Sequence, residues 1–381
     1  MEFTVKKKTI TIVSAHEGAT TWVNMFKFIG DTKGYQVRSF HQYDDNVYRS
    51  ARSTWERFTL KVKTFIIFPL RFVFLSSRIT RNSDFLIIVT SPFFMPLLAS
   101  LVIAKKKIKV FALMNDIYPE GLVTKGIIKR GGIIECFVKR VFARAISKME
   151  MIVFITEHHK AFVIKDIRFA VKTKVIPVSA HSDPFVGCHP YTVKGPIQIV
   201  YCGTLGLMHD TTTFLEWLSH ARACDNLRLA FYTSGASKKK FETKIREQIS
   251  NRQICPNVLL GNALDQDEWV KVMKAAQVGL VFQDADSGNI IFPSKVASIL
   301  ASGQALLAVA DKNSELARLI LQNDCGWVVS PSDVDYFSEC VASILQADTL
   351  LIKRKNAFLL GHKLFGKQAV ANQWVQLFDS F

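Results

Sequence analysis

Three short stretches combine residue types that do chemistry on phosphates and hydroxyls. The first reads Gly203-Thr204-Leu205-Gly206-Leu207-Met208-His209-Asp210. Two glycines at a strand end, just ahead of a helix, let the backbone approach a phosphate. The same spacing also serves tight turns that bind nothing. The second is Phe292-Pro293-Ser294-Lys295, running on to Ser302-Gly303 after the loop Asp284–Asn289. Ser294 reads as a helix N-cap, which puts Lys295 in the first turn. The helix dipole disfavours a cation there, a penalty that makes sense if Lys295 faces a bound diphosphate. The alternative is a surface lysine. The third stretch is Asn115-Asp116-Ile117-Tyr118-Pro119-Glu120-Gly121. Carboxylates such as Asp116 and Glu120 at a strand end orient a hydroxyl or accept its proton. A solvated loop capped by Asp116 is the plainer reading.

Each stretch follows an apolar run with strand character. In the first half the expected strands are Thr9–Ser14, Tyr35–Phe40, Phe85–Val89, Ile108–Leu113 and Met151–Thr156. Helices are expected near Trp22–Ile29, Pro96–Ala104 and Ile133–Lys148. Phe85–Ala104 is about long enough to span a bilayer, but Thr90-Ser91-Pro92 and Pro96 break it into strand, turn and buried helix. The Pro-rich stretch Val175–Pro196 reads as a linker. Alternation then resumes through Ile197–Cys202, Leu227–Tyr232, Val258–Leu260, Val278–Phe282, Leu306–Val309 and Gly326–Val329, with helices between and two helices to close. Repeated strand–helix order implies parallel sheets covered on both faces. The expectation is therefore α/β: two Rossmann-like, doubly wound domains facing a cleft, where ligands bind at the C-terminal strand ends. Residues 1–185 would form the first domain, 186–360 the second, and 361–381 a C-terminal helix returning to the first.

Composition narrows the partners. The 381 residues carry a formal charge of +17. Residues 1–190 hold 30 Lys and Arg against 14 Asp and Glu, a net of +16, and the remainder nets +1. Basic and large apolar residues interleave in Leu60–Arg78 and Phe137–Lys148. That pattern suits an anionic membrane surface, although an ordinary amphipathic helix also has it. Seven cysteines without a C-x-x-C pair fit reduced thiols rather than a disulfide frame or a zinc site. No G-x-G-x-x-G, Walker loop or H-E-x-x-H is present. Asp284-Ala285-Asp286 spells D-x-D, but the Gly288-Asn289 that follows reads as a loop rather than a metal site.

Taken in order, these stretches resemble family 4 of the retaining glycosyltransferases, which have the two-Rossmann-domain (GT-B) fold. The resemblance is to the L-fucosamine-transferase-like branch of O-antigen, capsule and colanic-acid synthesis. Its R-D-L-W-P-E-S motif is matched by Asn115–Gly121, its Y-x-G-N-L-G by Tyr201–Gly206, and its P-S-K-L-x-E-Y-L-A-A-G by Pro293–Gly303. Thr90-Ser91-Pro92 matches a strand followed by S-P-P. Two departures stand out. The family's E-x7-E pair falls on Ile290 and Ser298, and the arginine that often follows the glycine turn is Leu207.

The resemblance implies a nucleotide-sugar donor, retention of configuration and no metal or other cofactor. Gly203, Thr204, Leu205, Gly206, Asn289, Pro293, Ser294, Lys295 and Ser298 would hold the donor, with Gly261 and Asn262 near its base. Asp116, Glu120 and Lys295 would be the catalytic residues, and His16, Glu17, Gly18, Asn115 and Tyr118 would line the acceptor side. The acceptor would be polyprenyl-pyrophosphate-linked or an oligosaccharide, met at the cytoplasmic face of the cell membrane by a peripheral enzyme that binds no nucleic acid. Two other classes fit parts of the sequence. A catalytically impaired partner subunit accounts for Ile290, Ser298 and Leu207, and a nucleic-acid-binding protein accounts for the charge but lacks a recognition motif.

Overall fold

The computed structural model describes the chain outside residues 1–6, 16–19, 45–46, 48–52, 104–107, 116, 118–119, 125, 166, 168–169, 181, 188–194, 207–208, 223, 251–256, 285–287 and 289–291. Contacts divide it into two compact units, Met1–Ser179 with Val370–Phe381, and Ala180–Ala369.

Unit 1 is built on six parallel strands: β1 (Thr9–Val13), β2 (Gln36–Phe40), β3 (Phe85–Val89), β4 (Lys109–Met114), β5 (Met151–Phe154) and β6 (Thr173–Val175), in the order β2-β1-β3-β4-β5-β6. β1 and β3 are buried at every position, which is why β3 reads as an unbroken apolar run and β1 as β-branched residues throughout. The order reverses at β1, so the crevice of this sheet opens between the ends of β1 and β3. Those ends are stitched together. Ala15 N–H donates to Ser91 O, and the Thr90 hydroxyl accepts from Asn115 N–H at the end of β4. The final helix, Lys367–Asp379, buries Val370, Ala371, Trp374, Leu377 and Phe378. Trp374 lies 4.8 Å from Phe26, and Phe378 stacks on Phe85 at 4.7 Å, which ties Val370–Phe381 into this unit.

Unit 2 repeats the plan with β7 (Ile197–Thr204), β8 (Leu227–Ser234), β9 (Asn257–Asn262), β10 (Val278–Phe282), β11 (Ala305–Val309) and β12 (Gly326–Val329), all parallel, in the order β12-β11-β10-β7-β8-β9. Its core gathers Tyr201, Phe214, Trp217, Phe231, Phe241, Phe282 and Phe337. The reversal falls between β7 and β10. Those strands pair only at Val278–Ile199 and Gly279–Val200, so beyond that point they part and leave a crevice.

Several details differ from the sequence expectation. Leu60–Arg78 lies in two helices, Thr54–Val62 and Phe68–Arg81, joined by a π turn over Lys63–Ile67. Phe68 and Phe72 are fully buried in the unit 1 core, whereas Phe65 and Phe74 remain exposed. The helix Glu157–Ile164 and β6 escaped the sequence reading, being short and weakly patterned. Three helices close the chain rather than two: Val334–Ile344, Ala347–Phe365 and Lys367–Asp379. Part of Val175–Pro196 is packed rather than free. Ala180 and Phe185 join the unit 2 core, and the Phe185 ring sits 5.6 Å from Trp269. Phe85–Ala104 divides into β3, a turn and the helix Met95–Val102, and among the described residues no helix is long and apolar enough to cross a membrane.

Candidate active site

The crevice between β7 and β10 holds a lysine that pairs with no carboxylate among the described residues. Lys295 is the first residue of the helix Lys295–Ala301, which follows β10. That helix is pinned from behind by the helix Ala347–Phe365. Gly361 lets the two backbones meet: a Cβ there would come within 2.5 Å of Ala301 N. His362 Nε2 lies 3.1 Å from Ala301 O, and Arg354 Nε donates to Gly303 O at 3.0 Å. So held, Lys295 reaches back across the crevice to β7. Its Nζ donates to Tyr201 Oη at 2.6 Å and lies 3.8 Å from the centre of the Tyr201 ring.

Backbone geometry makes room for the amine. Gly203 has φ +143°, which side chains resist, and a Cβ there would lie 3.3 Å from Lys295 Nζ. Among the described residues no carboxylate pairs with Lys295. Burial lowers its pKa from 10.5 to about 7. The residue as a whole is only partly buried, so its amine end is the withdrawn part. A desolvated ammonium next to a glycine loop at a sheet's switch point is a place for an anion.

The loop after β7 is braced rather than open. Leu205 N–H donates to Ser234 O at 2.8 Å, and Gly206 N–H donates to His209 Nδ1 at 3.1 Å. With Nδ1 accepting, the His209 proton sits on Nε2. Burial and the nearby Lys295 charge lower its pKa to about 4, so the ring is neutral at ordinary pH. Burial also pushes the Cys202 thiol up to about 12 and the Tyr201 phenol up as well. The amides of Leu205 and Gly206, expected to cradle phosphate, are thus already partnered in this state.

Other site residues separate into groups. Ser294 is exposed, has helical φ and ψ, and makes no side-chain cap. Ser294 therefore holds the N-cap position, as expected, but without the extended backbone that lets its side chain cap the helix. The helix itself has seven residues, which leaves the anion-binding charge with Lys295 rather than with a strong dipole. Pro293 starts the turn by accepting from Val296 N–H, and Ser298 lies half-buried one turn on from Lys295. Gly261 and Asn262 belong to β9 itself, not to a loop after it. Asn262 Oδ1 accepts from Lys238 Nζ at 2.5 Å. In unit 1, Glu120 pairs with Lys139 at 3.2 Å, and Lys139 also pairs with Glu135 at 3.0 Å. Asn115 Oδ1 accepts from Trp22 Nε1 at 3.4 Å. His16, Glu17, Gly18, Asp116, Tyr118 and Asn289 lie outside the described residues, as do Leu207, Asp286 and Ile290. Among the described residues no three His, Cys, Asp or Glu side chains stand close enough to hold a metal ion. Tyr201 and His209 were missed as site residues. The signals available were the place of Tyr201 at the head of the Y-x-G-N-L-G match and a histidine three places after Gly206.

Over 284 residues the chain is 23% identical to the probable glycosyltransferase WbjE of Pseudomonas aeruginosa, covering 72% of this chain and 69% of that protein. It superposes on sucrose-phosphate synthase from Thermosynechococcus elongatus with a TM-score of 0.72 at 15% identity, over 98% of this chain and 99% of that one. The fold is GT-B. Anabaena HepE, solved in complex with UDP-glucose, matches with a TM-score of 0.66 at 9% identity, over 98% of this chain and 100% of its own. No family model matches the chain. In GT-B terms, Lys295 and the Gly203–Gly206 loop belong to the second Rossmann-like unit, on opposite sides of its switch point.

Proposed function

We propose that this chain is a glycosyltransferase that moves a sugar from a nucleotide donor to an acceptor in the synthesis of a bacterial surface polysaccharide. The observation that carries the reading is the desolvated Lys295 amine, which has no carboxylate partner among the described residues and lies beside the post-β7 glycine loop. A nucleotide sugar supplies the missing charge as its diphosphate. When the glycosidic bond to the donor breaks, negative charge grows on the leaving diphosphate, and a placed ammonium stabilises it. Stabilisation of this kind is usually the largest single catalytic contribution. Likeness to WbjE and to the UDP-glucose-bound HepE structure supports the choice of ligand class.

The finer reading follows the motif resemblance: a member of the L-fucosamine-transferase-like branch of family 4, acting with retention and without a metal, in O-antigen, capsule or exopolysaccharide synthesis. Asp116 and Glu120 serve the acceptor hydroxyl. A polyprenyl-pyrophosphate-linked acceptor requires a peripheral enzyme at the inner face of the cell membrane, and the unit 1 surface supports one. Trp55, Phe74 and Ile133 are 72%, 81% and 89% exposed, and Leu70, Leu101 and Phe137 are exposed as well. The helix Met95–Val102, which carries Leu101, packs against both Phe68–Arg81 and Ile133–Ile146. Exposed Arg57, Lys61, Lys63, Arg78, Arg140 and Arg144 lie among these apolar residues. Aromatic and basic residues in such a mixture suit an anionic bilayer.

The test is a transfer assay with UDP-, GDP- and dTDP-sugars and a polyprenyl-pyrophosphate-linked saccharide. Nucleoside diphosphate should be released in step with glycosylated lipid, in the presence of EDTA, with the donor's anomeric configuration kept in the product's NMR spectrum. Absence of turnover with every donor, where binding persists, would favour the impaired partner subunit.

A further inference from the structure

Tyr201 touches both sides of the crevice. It sits in β7, fully buried, with its ring stacked on Phe282 at 5.3 Å and 26°. Its hydroxyl donates to Thr204 O at 2.9 Å, at the start of the glycine loop. The same oxygen accepts from Lys295 Nζ at 2.6 Å. These directions are fixed by chemistry. An ammonium only donates, and a phenol has one proton, which here goes to the Thr204 carbonyl.

Given that unit 2 binds a nucleotide diphosphate, we infer that Tyr201 is the positioning residue for its charge: the hydroxyl, anchored on the Thr204 carbonyl, keeps the Lys295 ammonium protonated and beside the Gly203 turn, where the diphosphate enters. A neutral acceptor suits this task better than a carboxylate. It stabilises the ammonium while leaving the positive charge uncompensated for the ligand. Among the described residues, the titratable groups around the amine are Tyr201 and Cys202 from β7 and His209 from the loop that follows. Tyr201 and Cys202 are pushed up, Cys202 to about 12, and His209 is pushed down to about 4. All three are therefore neutral between about pH 5.5 and 8.5, and Lys295, lowered to about 7, is the group of this cluster that changes charge there.

The experiment measures the affinity of UDP-, GDP- and dTDP-glucose by calorimetry from about pH 5.5 to 8.5. Nucleotide sugars are the right probes because their diphosphate is esterified at both ends and has no proton to lose in this range. The wild type should bind at least one of them, with affinity falling as pH rises through about 7. Tyr201→Phe keeps the ring on Phe282 and removes only the hydroxyl. It should bind about tenfold more weakly at neutral pH, the usual scale for losing a hydrogen bond to a charged group. Its midpoint should move to acid by about one pH unit, the equivalent shift in the amine's pKa. A merely structural tyrosine would lower the melting temperature and leave the midpoint in place. Lys295→Arg provides the second arm, since guanidinium does not titrate here, and its binding should be independent of pH. An unmoved midpoint in Tyr201→Phe, or wild-type pH dependence in Lys295→Arg, overturns this inference while the donor site stands. Failure of the wild type to bind any of the three at any pH overturns both.

Discussion

The Lys295 ammonium rests against the Tyr201 phenol, 2.6 Å from its oxygen and 3.8 Å from its ring centre. One neutral hydrogen bond and an aromatic face return only part of the cost of taking a charge out of water. Among the described residues no negative charge offsets the rest, and the direction of the Lys295 pKa shift, down through burial, agrees.

That cost has a signature in stability. The Lys295 pKa is lowered to about 7 in the folded chain from 10.5, so between those values the unfolded chain binds more protons. Stability from this group therefore rises with pH across that window and is lost as pH falls through it. Lys295→Met should remove the slope: relative to the variant, the wild type gains melting temperature from about pH 7 to pH 10. Parallel curves over that range would mean the amine is not desolvated.

A second window lies on the acid side. His159 in unit 1 is 1% exposed, its Nδ1 has no partner among the described residues, and burial lowers its pKa from 6.5 to about 4. The unfolded chain again binds the extra proton, so stability falls as pH drops from about 6.5 to 4. His159→Leu should flatten thermal denaturation curves in that range. Unchanged acid sensitivity would place the burden on other groups, His209 among them.

Asp116→Asn separates the roles assigned to the two units. The residue lies outside the described residues, so the prediction rests on its place in the Asn115–Gly121 motif. Turnover should fall by about 10²–10⁴-fold, the range for losing a general base, with donor affinity unchanged. Loss of donor binding in this variant would contradict the division of labour.

Membrane attachment should be electrostatic first and apolar second. Each exposed Lys or Arg near an anionic leaflet contributes about 1 kcal/mol. Vesicles containing anionic lipid should float the protein at low salt and release it at about 0.5 M, where screening is short-ranged. Phe74→Glu with Ile133→Glu should weaken flotation without unfolding the chain, because both side chains are exposed. The absence of flotation at low salt would remove the membrane claim.

Much of this fold was legible because its central strands are buried on both faces. β3, β10 and β11 read as continuous apolar runs, and glycine, proline and polar clusters mark their ends. What the sequence hid was short or three-dimensional. β6 has three residues, none of them buried, and the helix Glu157–Ile164 has almost no apolar face. In Leu60–Arg78 a π turn interrupts the helix, and its residues Lys63–Ile67 are none of them buried. Phe68 and Phe72, four residues apart, go to the core while Phe65 and Phe74 stay out. Lys295 was legible as a candidate from its place in the helix's first turn. Its dependence on Tyr201, 94 residues away along the chain, was not, since no local pattern encodes a contact across a switch point.

The role of Lys295 at a diphosphate site is tested most directly by the binding of nucleoside diphosphates to unit 2, measured by calorimetry on the intact chain with UDP, GDP and dTDP, wild type beside Lys295→Ala. The wild type should bind at least one of them, the variant should bind it at least about tenfold more weakly, as for the loss of a charged hydrogen bond, and turnover of the matching nucleotide sugar should fall about 10²–10³-fold, as for the loss of a charge-stabilising donor. Equal affinity and turnover in the two proteins, or no binding by the wild type, would contradict that role.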